Sequence, residues 1–109
     1  MRVFDTGATR DDDSTKIDYD GFLSPLVLEA YGNYLHKHRI QSDGQLRDSD
    51  NWKKGIPIKQ YIKSKWRHFM RTWGLTYLKW TEEEMVDSLC AELFNTMGML
   101  HEVLKGKRE

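Results

Sequence analysis

Glu83, Glu84 and Asp87 stand at the start of a long amphipathic run, and their spacing is the first chemical signal in this 109-residue chain. On a helix, Glu84 and Asp87 are three residues apart and share a face, a separation that suits one hard divalent cation such as Mg²⁺. Glu83, four residues before Asp87, joins the same face. These residues also have structural uses. Thr81 followed by Glu84 is a capping box, in which the Glu84 carboxylate accepts from the Thr81 amide, and acids in a first turn suit the helix dipole. Asp87 is past the cap, and is either a solvated acid or a metal ligand.

Other residues offer complementary chemistry. Arg67 and His68 adjoin on a second amphipathic run; facing two carboxylates, they would clamp phosphate or orient ligands, and otherwise they form a polar surface. Glu29 and His36 share a face of a first run, with Asn33 between them. Trp52 after Asn51 is either a loop anchor or a flat surface on which a nucleobase stacks while the Asn51 amide reads its edge. Asn95 follows Asp87 by eight residues and is either a buried hydrogen-bonding group or a substrate contact. Arg10 and Lys16 flank the Asp11-Asp12-Asp13 run and supply cations for phosphate oxygens.

The elements that must position these groups follow from periodicity. Residues 1–22 are polar and rich in Gly and Asp, an irregular N-terminal arm with too little apolar surface to order itself. Ser24-Pro25 is an N-cap followed by a first-turn proline, and apolar residues at helical spacing predict a helix over 24–38. The segment 41–55 is a loop dense in Ser, Asp, Asn and Gly, too long for a mere connector. A second helix starts at Ile56-Pro57, with Ile58, Ile62, Trp66, Phe69/Met70 and Trp73 as an inward stripe and Gly74 as its stop. Residues 75–80 read as an aromatic connection in preference to a short strand. A third helix runs from Thr81 to about Lys105, with Met85, Val86, Leu89, Leu93, Met97, Leu100 and Leu104 facing inward. The expected fold is all-α, one domain over 23–109, a helical hairpin or bundle completed by a second subunit in a homo-oligomer, as dimer or tetramer.

Composition narrows the function. Seventeen basic against seventeen acidic residues leave no global attraction to nucleic acid or an anionic membrane, so any anion site is local. No apolar run approaches the length of a membrane span, and the N-terminus lacks a signal peptide's apolar stretch. The one cysteine, Cys90, falls in an apolar helical pattern, which excludes an intrachain disulfide framework and fits a reducing cytoplasm.

Gly7-Ala8-Thr9-Arg10 with Lys16 and Asp18, Leu23-Ser24-Pro25, Asp50 through Pro57, Arg67-His68 and Leu93-Phe94-Asn95 occur in this order over nearly the whole chain. In that arrangement the chain resembles phage proteins of the dATP/dGTP diphosphohydrolase (N-terminal type) family, a branch similar to the MazG-like all-α nucleotide pyrophosphohydrolases. Glu84-Met85-Val86-Asp87 matches their Glu-x-x-Asp motif. Their other motif, two adjacent Glu followed by a third, is absent, and the first helix offers Glu29 alone, with His68 or Glu83 left to complete coordination. The resemblance implies Mg²⁺-dependent hydrolysis of a purine (deoxy)nucleoside triphosphate to the monophosphate and pyrophosphate, for nucleotide-pool control in the host cell cytoplasm. Glu84 and Asp87, joined by Glu83, would hold the metal, and Glu29 or Glu83 would position the water as base. Arg10, Lys16 and Arg67 would neutralise phosphate, and Asn51, Trp52 and Asn95 would contact substrate. The competing expectation is a binding module: the same pocket captures a nucleotide, or a nucleotide-derived host defence signal, without turning it over.

Overall fold

The computed structural model describes residues 2–10 and 14–108, the last two as backbone alone, so the Asp11–Asp13 run lies outside the described residues. The elements in chain order are β1 (Arg2–Val3), β2 (Thr9–Arg10), α1 (Tyr19–Phe22), α2 (Pro25–Lys37), a 3₁₀ turn (Asn51–Lys54), α3 (Ile58–Tyr77) and α4 (Glu82–Arg108). The fold is predominantly helical. Within the arm, β1 and β2 pair antiparallel, Arg2 opposite Arg10 and Val3 opposite Thr9, and Asp18 caps α1 by accepting from the Gly21 amide at 2.9 Å. Both short elements are exposed along their whole length.

Local signals start the main helices where sequence places them. Ser24 Oγ accepts from the Val27 amide at 3.2 Å, and Pro25 occupies the first turn, where its missing N–H costs nothing. Thr81 and Glu84 close the capping box in both directions: Glu84 N–H donates to Thr81 Oγ1 at 3.1 Å, and Thr81 N–H to Glu84 Oε2 at 3.3 Å. The end of α3 departs from expectation. Gly74 does not stop it; the helix continues through Tyr77 and gives way to extended backbone at Leu78. A glycine inside a helix costs only about 1 kcal/mol, and Gly74 lacks the left-handed φ that a helix stop requires, which among the described residues only Gly7, Gly44 and Gly55 adopt.

The packing of α3 on α4 overturns most of the expected inward faces, although Met85, Val86 and Met97 are half-buried. The two helices run antiparallel and meet through small and polar side chains: the Tyr61 ring lies on Gly98, while Thr72 meets Ser88 at 2.6 Å and Glu92 at 2.5 Å. Tyr61, Ser88, Ala91 and Asn95 are buried there. On the other flank of α4, α2 docks by Tyr31 and Cys90, with the Tyr31 hydroxyl 3.5 Å from Met97 Sδ. The stripe Ile58, Ile62, Trp66, Phe69, Met70 and Trp73 faces outward instead, as do Leu89, Leu93, Leu100 and Leu104; Trp66 is 64% exposed. Close approach of helix backbones is available only to the small-residue faces, which leaves the bulky stripes on the outside. Among the described residues the buried apolar set of the chain shrinks to Tyr31, Tyr61, Cys90 and Ala91. Its radius of gyration, 19.0 Å, compares with about 13 Å for a compact domain of this length.

Candidate functional site: a basic and aromatic cleft

The segment between α2 and α3 is built, not slack. After α2 the chain reverses through Gln41–Gly44, where Gly44 takes φ +84° and its amide donates to Gln41 O at 2.9 Å. Ile40 and Leu46 then form an antiparallel bridge, which brings two arginines side by side. Arg47 N–H donates to Arg39 O at 2.7 Å, Arg39 Nε donates to Arg47 O at 2.8 Å, and Arg47 Nη2 donates to His38 O at 2.9 Å. Each guanidinium thereby spends one of its five N–H donors on the backbone and keeps the others. Downstream, Asp48 O receives the Asn51 amide at 3.0 Å, the 3₁₀ turn follows, and Gly55 with φ +119° releases the chain toward α3. Trp52 anchors this turn on α4, edge-on to His101 at 4.8 Å and to Phe94 at 6.2 Å. The Ile56 amide donates to Glu102 Oε1 at 3.4 Å.

Between this segment, the second half of α2 and Phe94 of α4 opens a cleft of about 500 Å³. Its rim carries His36, His38, Arg39 and Arg47; its wall carries Tyr34, Trp52 and Phe94, with Asn51 beside them. Tyr34 and His38 stack at 4.2 Å. Cationic donors beside flat apolar surface are the two needs of a ligand with phosphate at one end and an aromatic ring at the other.

At the border of the cleft, Lys37 Nζ donates to both oxygens of Asp87 at 2.9 Å, tying the end of α2 to the start of α4. That is the structural task of Asp87 that its position in sequence did not disclose. The hydrogen bond that Lys37 donates to Asp87 is the main reason its ammonium is held above its ordinary pKa, with Glu83 adding to the field. Burial first, then the charge of Asp87, raises the Tyr34 phenol, so the carboxylate is felt at the wall of the cleft. Burial raises the Cys90 thiol as well, which makes it a poor nucleophile.

The residues singled out from sequence separate into groups. Asn51 and Trp52 line the cleft. Glu83, Glu84 and Asp87 cluster at the start of α4 by its flank, Glu84 occupied by the cap and Asp87 by Lys37. Glu29 is exposed on α2. His68 is half-buried on α3, its imidazole held below the ordinary value by burial first and then by Arg67 and Arg71; Arg67 is exposed and donates to Ser64 Oγ at 3.1 Å. Asn95 is 6% exposed, and its amide donates to Ala91 O at 2.8 Å in the α3–α4 contact, away from the cleft. Arg10 and Lys16 are exposed in the arm. No group of three or more His, Cys, Asp or Glu among the described residues converges as a metal site, so in this arrangement the carboxylates do not form the cage that Mg²⁺ hydrolysis implies. Sequence reasoning missed His38, Arg39 and Arg47. Their signal was the near-symmetry of Arg39-Ile40 and Leu46-Arg47 around an Asp43-Gly44 turn, a hairpin pattern.

Comparison with family models, with curated proteins and with solved structures finds no match.

Proposed function

We propose that the chain binds a purine (deoxy)nucleoside triphosphate in the cleft between α2, the 38–56 segment and α4, and that it hydrolyses this ligand to the monophosphate and pyrophosphate, acting as a homo-oligomer of the MazG-like type. The observation that carries the binding half is the juxtaposition of Arg39, Arg47, His36 and His38 with Trp52, Tyr34 and Phe94 around one opening. The guanidiniums and imidazoles meet phosphate oxygens, the aromatic side chains meet the base, and the Asn51 amide supplies a donor and an acceptor for its edge. The hydrolytic half rests on the sequence resemblance and on Asp87, whose charge reaches Tyr34 in the cleft wall.

Binding without turnover is the second reading, and the Lys37–Asp87 pair favours it, because a cation from the chain itself already neutralises the carboxylate that metal would need. In that reading the protein sequesters a nucleotide or a nucleotide-derived signal. Incubation with a panel of purine and pyrimidine nucleoside triphosphates and Mg²⁺, followed by ion-exchange separation of products, tests the pair. Monophosphate and pyrophosphate in equal amounts from purine substrates support hydrolysis. Intact nucleotide, together with calorimetric binding, supports capture. Absence of both refutes the proposal.

A further inference from the structure

The balance of charge over the whole chain conceals a local excess. Between Asp50 and Glu82 there is no acidic residue, while eight of the seventeen basic residues fall in that stretch. On α3 four of them are ordered. Lys59, Lys63, Arg67 and Arg71 recur every four residues and form one exposed ridge, with steps of about 6 Å along the helix axis. None of the four pairs with a carboxylate among the described residues, and like charges at this spacing destabilise a helix. A ridge that served solvation alone would interleave acids, as α4 does with Glu102 and Lys105. We infer that α3 binds single-stranded nucleic acid along this ridge, at a site separate from the nucleotide cleft and beyond the hydrolysis proposed above.

The neighbouring ridge says which polyanion fits. Ile62, Trp66 and Met70 also repeat every four residues, each three positions after a cation of the first ridge, and Trp73 and Tyr77 continue the flat surface toward the end of the helix. Trp66 is 64% exposed and Tyr77 77%. A cationic row beside exposed aromatic side chains is the arrangement that holds a single strand: the phosphates follow the charges, and the unpaired bases turn onto the π surfaces. A duplex keeps its base faces inside the stack and would leave the aromatic side chains in water. An anionic bilayer would seat on the apolar stripe and on the groove beside it, where Glu92 offsets the charge of Lys65; the uncompensated cations stand at the far edge, as a row and not as a rim. Four phosphates on four cations also set a salt dependence. Each contributes about −0.7 to the slope of log affinity against log salt, so the ridge as a whole gives about −3.

Fluorescence anisotropy of a labelled oligothymidylate, which offers the cleft no purine, tests this on the whole chain over a series of salt concentrations. Wild type should bind saturably with a slope near the value above. The triple variant Lys59→Gln, Lys63→Gln, Arg71→Gln keeps good helix formers and removes the mutual repulsion, so its helical signal should persist. Its slope should shrink by about 2 and its affinity fall tenfold or more at low salt, while its affinity for a purine nucleoside triphosphate, measured by calorimetry, stays at the wild-type value. Trp66→Ala keeps every cation and should bind the oligonucleotide at least fivefold more weakly at an unchanged slope. No binding by wild type, or a triple variant with wild-type affinity and slope, overturns the inference. Trp66→Ala at wild-type affinity also overturns it, since charge alone then holds the ligand, and so does binding of phosphatidylserine vesicles without binding of the oligonucleotide. Loss of triphosphate affinity in the triple variant would merge the ridge with the cleft and overturn it as a separate site. A wild type that binds oligonucleotide but no triphosphate refutes the cleft and leaves the ridge standing.

Discussion

At the scale of single residues, Asp87 separates the two functional readings. Its carboxylate is one-third exposed and paired to a half-exposed Lys37, and such surface pairs contribute about 0–1 kcal/mol. Asp87→Asn therefore should leave thermal unfolding within a few degrees of wild type, while removing nucleotide hydrolysis if the acidic cluster serves catalysis. Turnover at the wild-type rate in the folded variant would take Asp87 out of the chemistry. Tyr61 makes a purely structural case. It is 2% exposed, its hydroxyl has no hydrogen-bond partner among the described residues, and its ring covers Gly98. Tyr61→Phe removes an unpaired buried hydroxyl and should stabilise the fold by about 1 kcal/mol, read as a higher midpoint in urea; a lower midpoint would mean that the hydroxyl is satisfied. His68 gives the pH dependence. Its folded-state pKa lies below the ordinary 6.5, so the unfolded chain binds the proton more tightly. Stability is then fully present above about 6.5 and falls as pH drops through that value toward the folded one. Melting temperatures at a series of pH values should show this decline in wild type and a shallower one in His68→Gln.

At the scale of elements, the starts of the helices were legible and their inward faces were not. Ser24-Pro25 and the Thr81–Glu84 box are local chemistry, decided within four residues, and both operate as their sequence says. A period of 3.6 identifies an apolar stripe but not what covers it. On α3 the stripe through Trp66 is the stronger pattern, yet the contact with α4 uses Tyr61 and Thr72 against Gly98 and Ser88, because small residues allow closer approach. Gly74 misled for a related reason: a glycine ends a helix only where the chain turns left-handed, and nothing after it requires that. The cleft was half legible. Asn51 and Trp52 stand out by type, whereas Arg39 and Arg47 become a pair only through the Ile40–Leu46 bridge. That bridge makes the hairpin a unit. Arg47→Gln loses the tie to His38 O and one cation, so nucleotide affinity should fall about tenfold or more, since charge-assisted hydrogen bonds contribute about 1.5–3 kcal/mol. Titration calorimetry with circular dichroism as the folding control checks this, and an unchanged affinity would place the phosphate elsewhere.

At the scale of the whole molecule, the chain has a site before it has a full core. The α2–α4 and α3–α4 contacts hold the cleft's walls in place, while Trp66, Phe69 and Trp73 of α3 stay exposed and outside the cleft lining. The cleft and the exposed apolar residues of α4 thus lie apart: Phe94 lines the cleft and His101 packs on Trp52, while Leu89, Leu93 and Leu100 are exposed. No helix among the described residues is long and apolar enough to cross a membrane. The claim on which the functional account rests is that the cleft holds a purine nucleotide with its base against Trp52. Titration of wild type and Trp52→Ala with a purine nucleoside triphosphate, followed by calorimetry, tests it most directly. Stacking on an aromatic side chain contributes about 1–3 kcal/mol per base, so the account predicts saturable one-to-one binding by the wild type and an affinity at least fivefold weaker in a helical Trp52→Ala. Equal affinities in the two proteins, or no binding by the wild type, would contradict it.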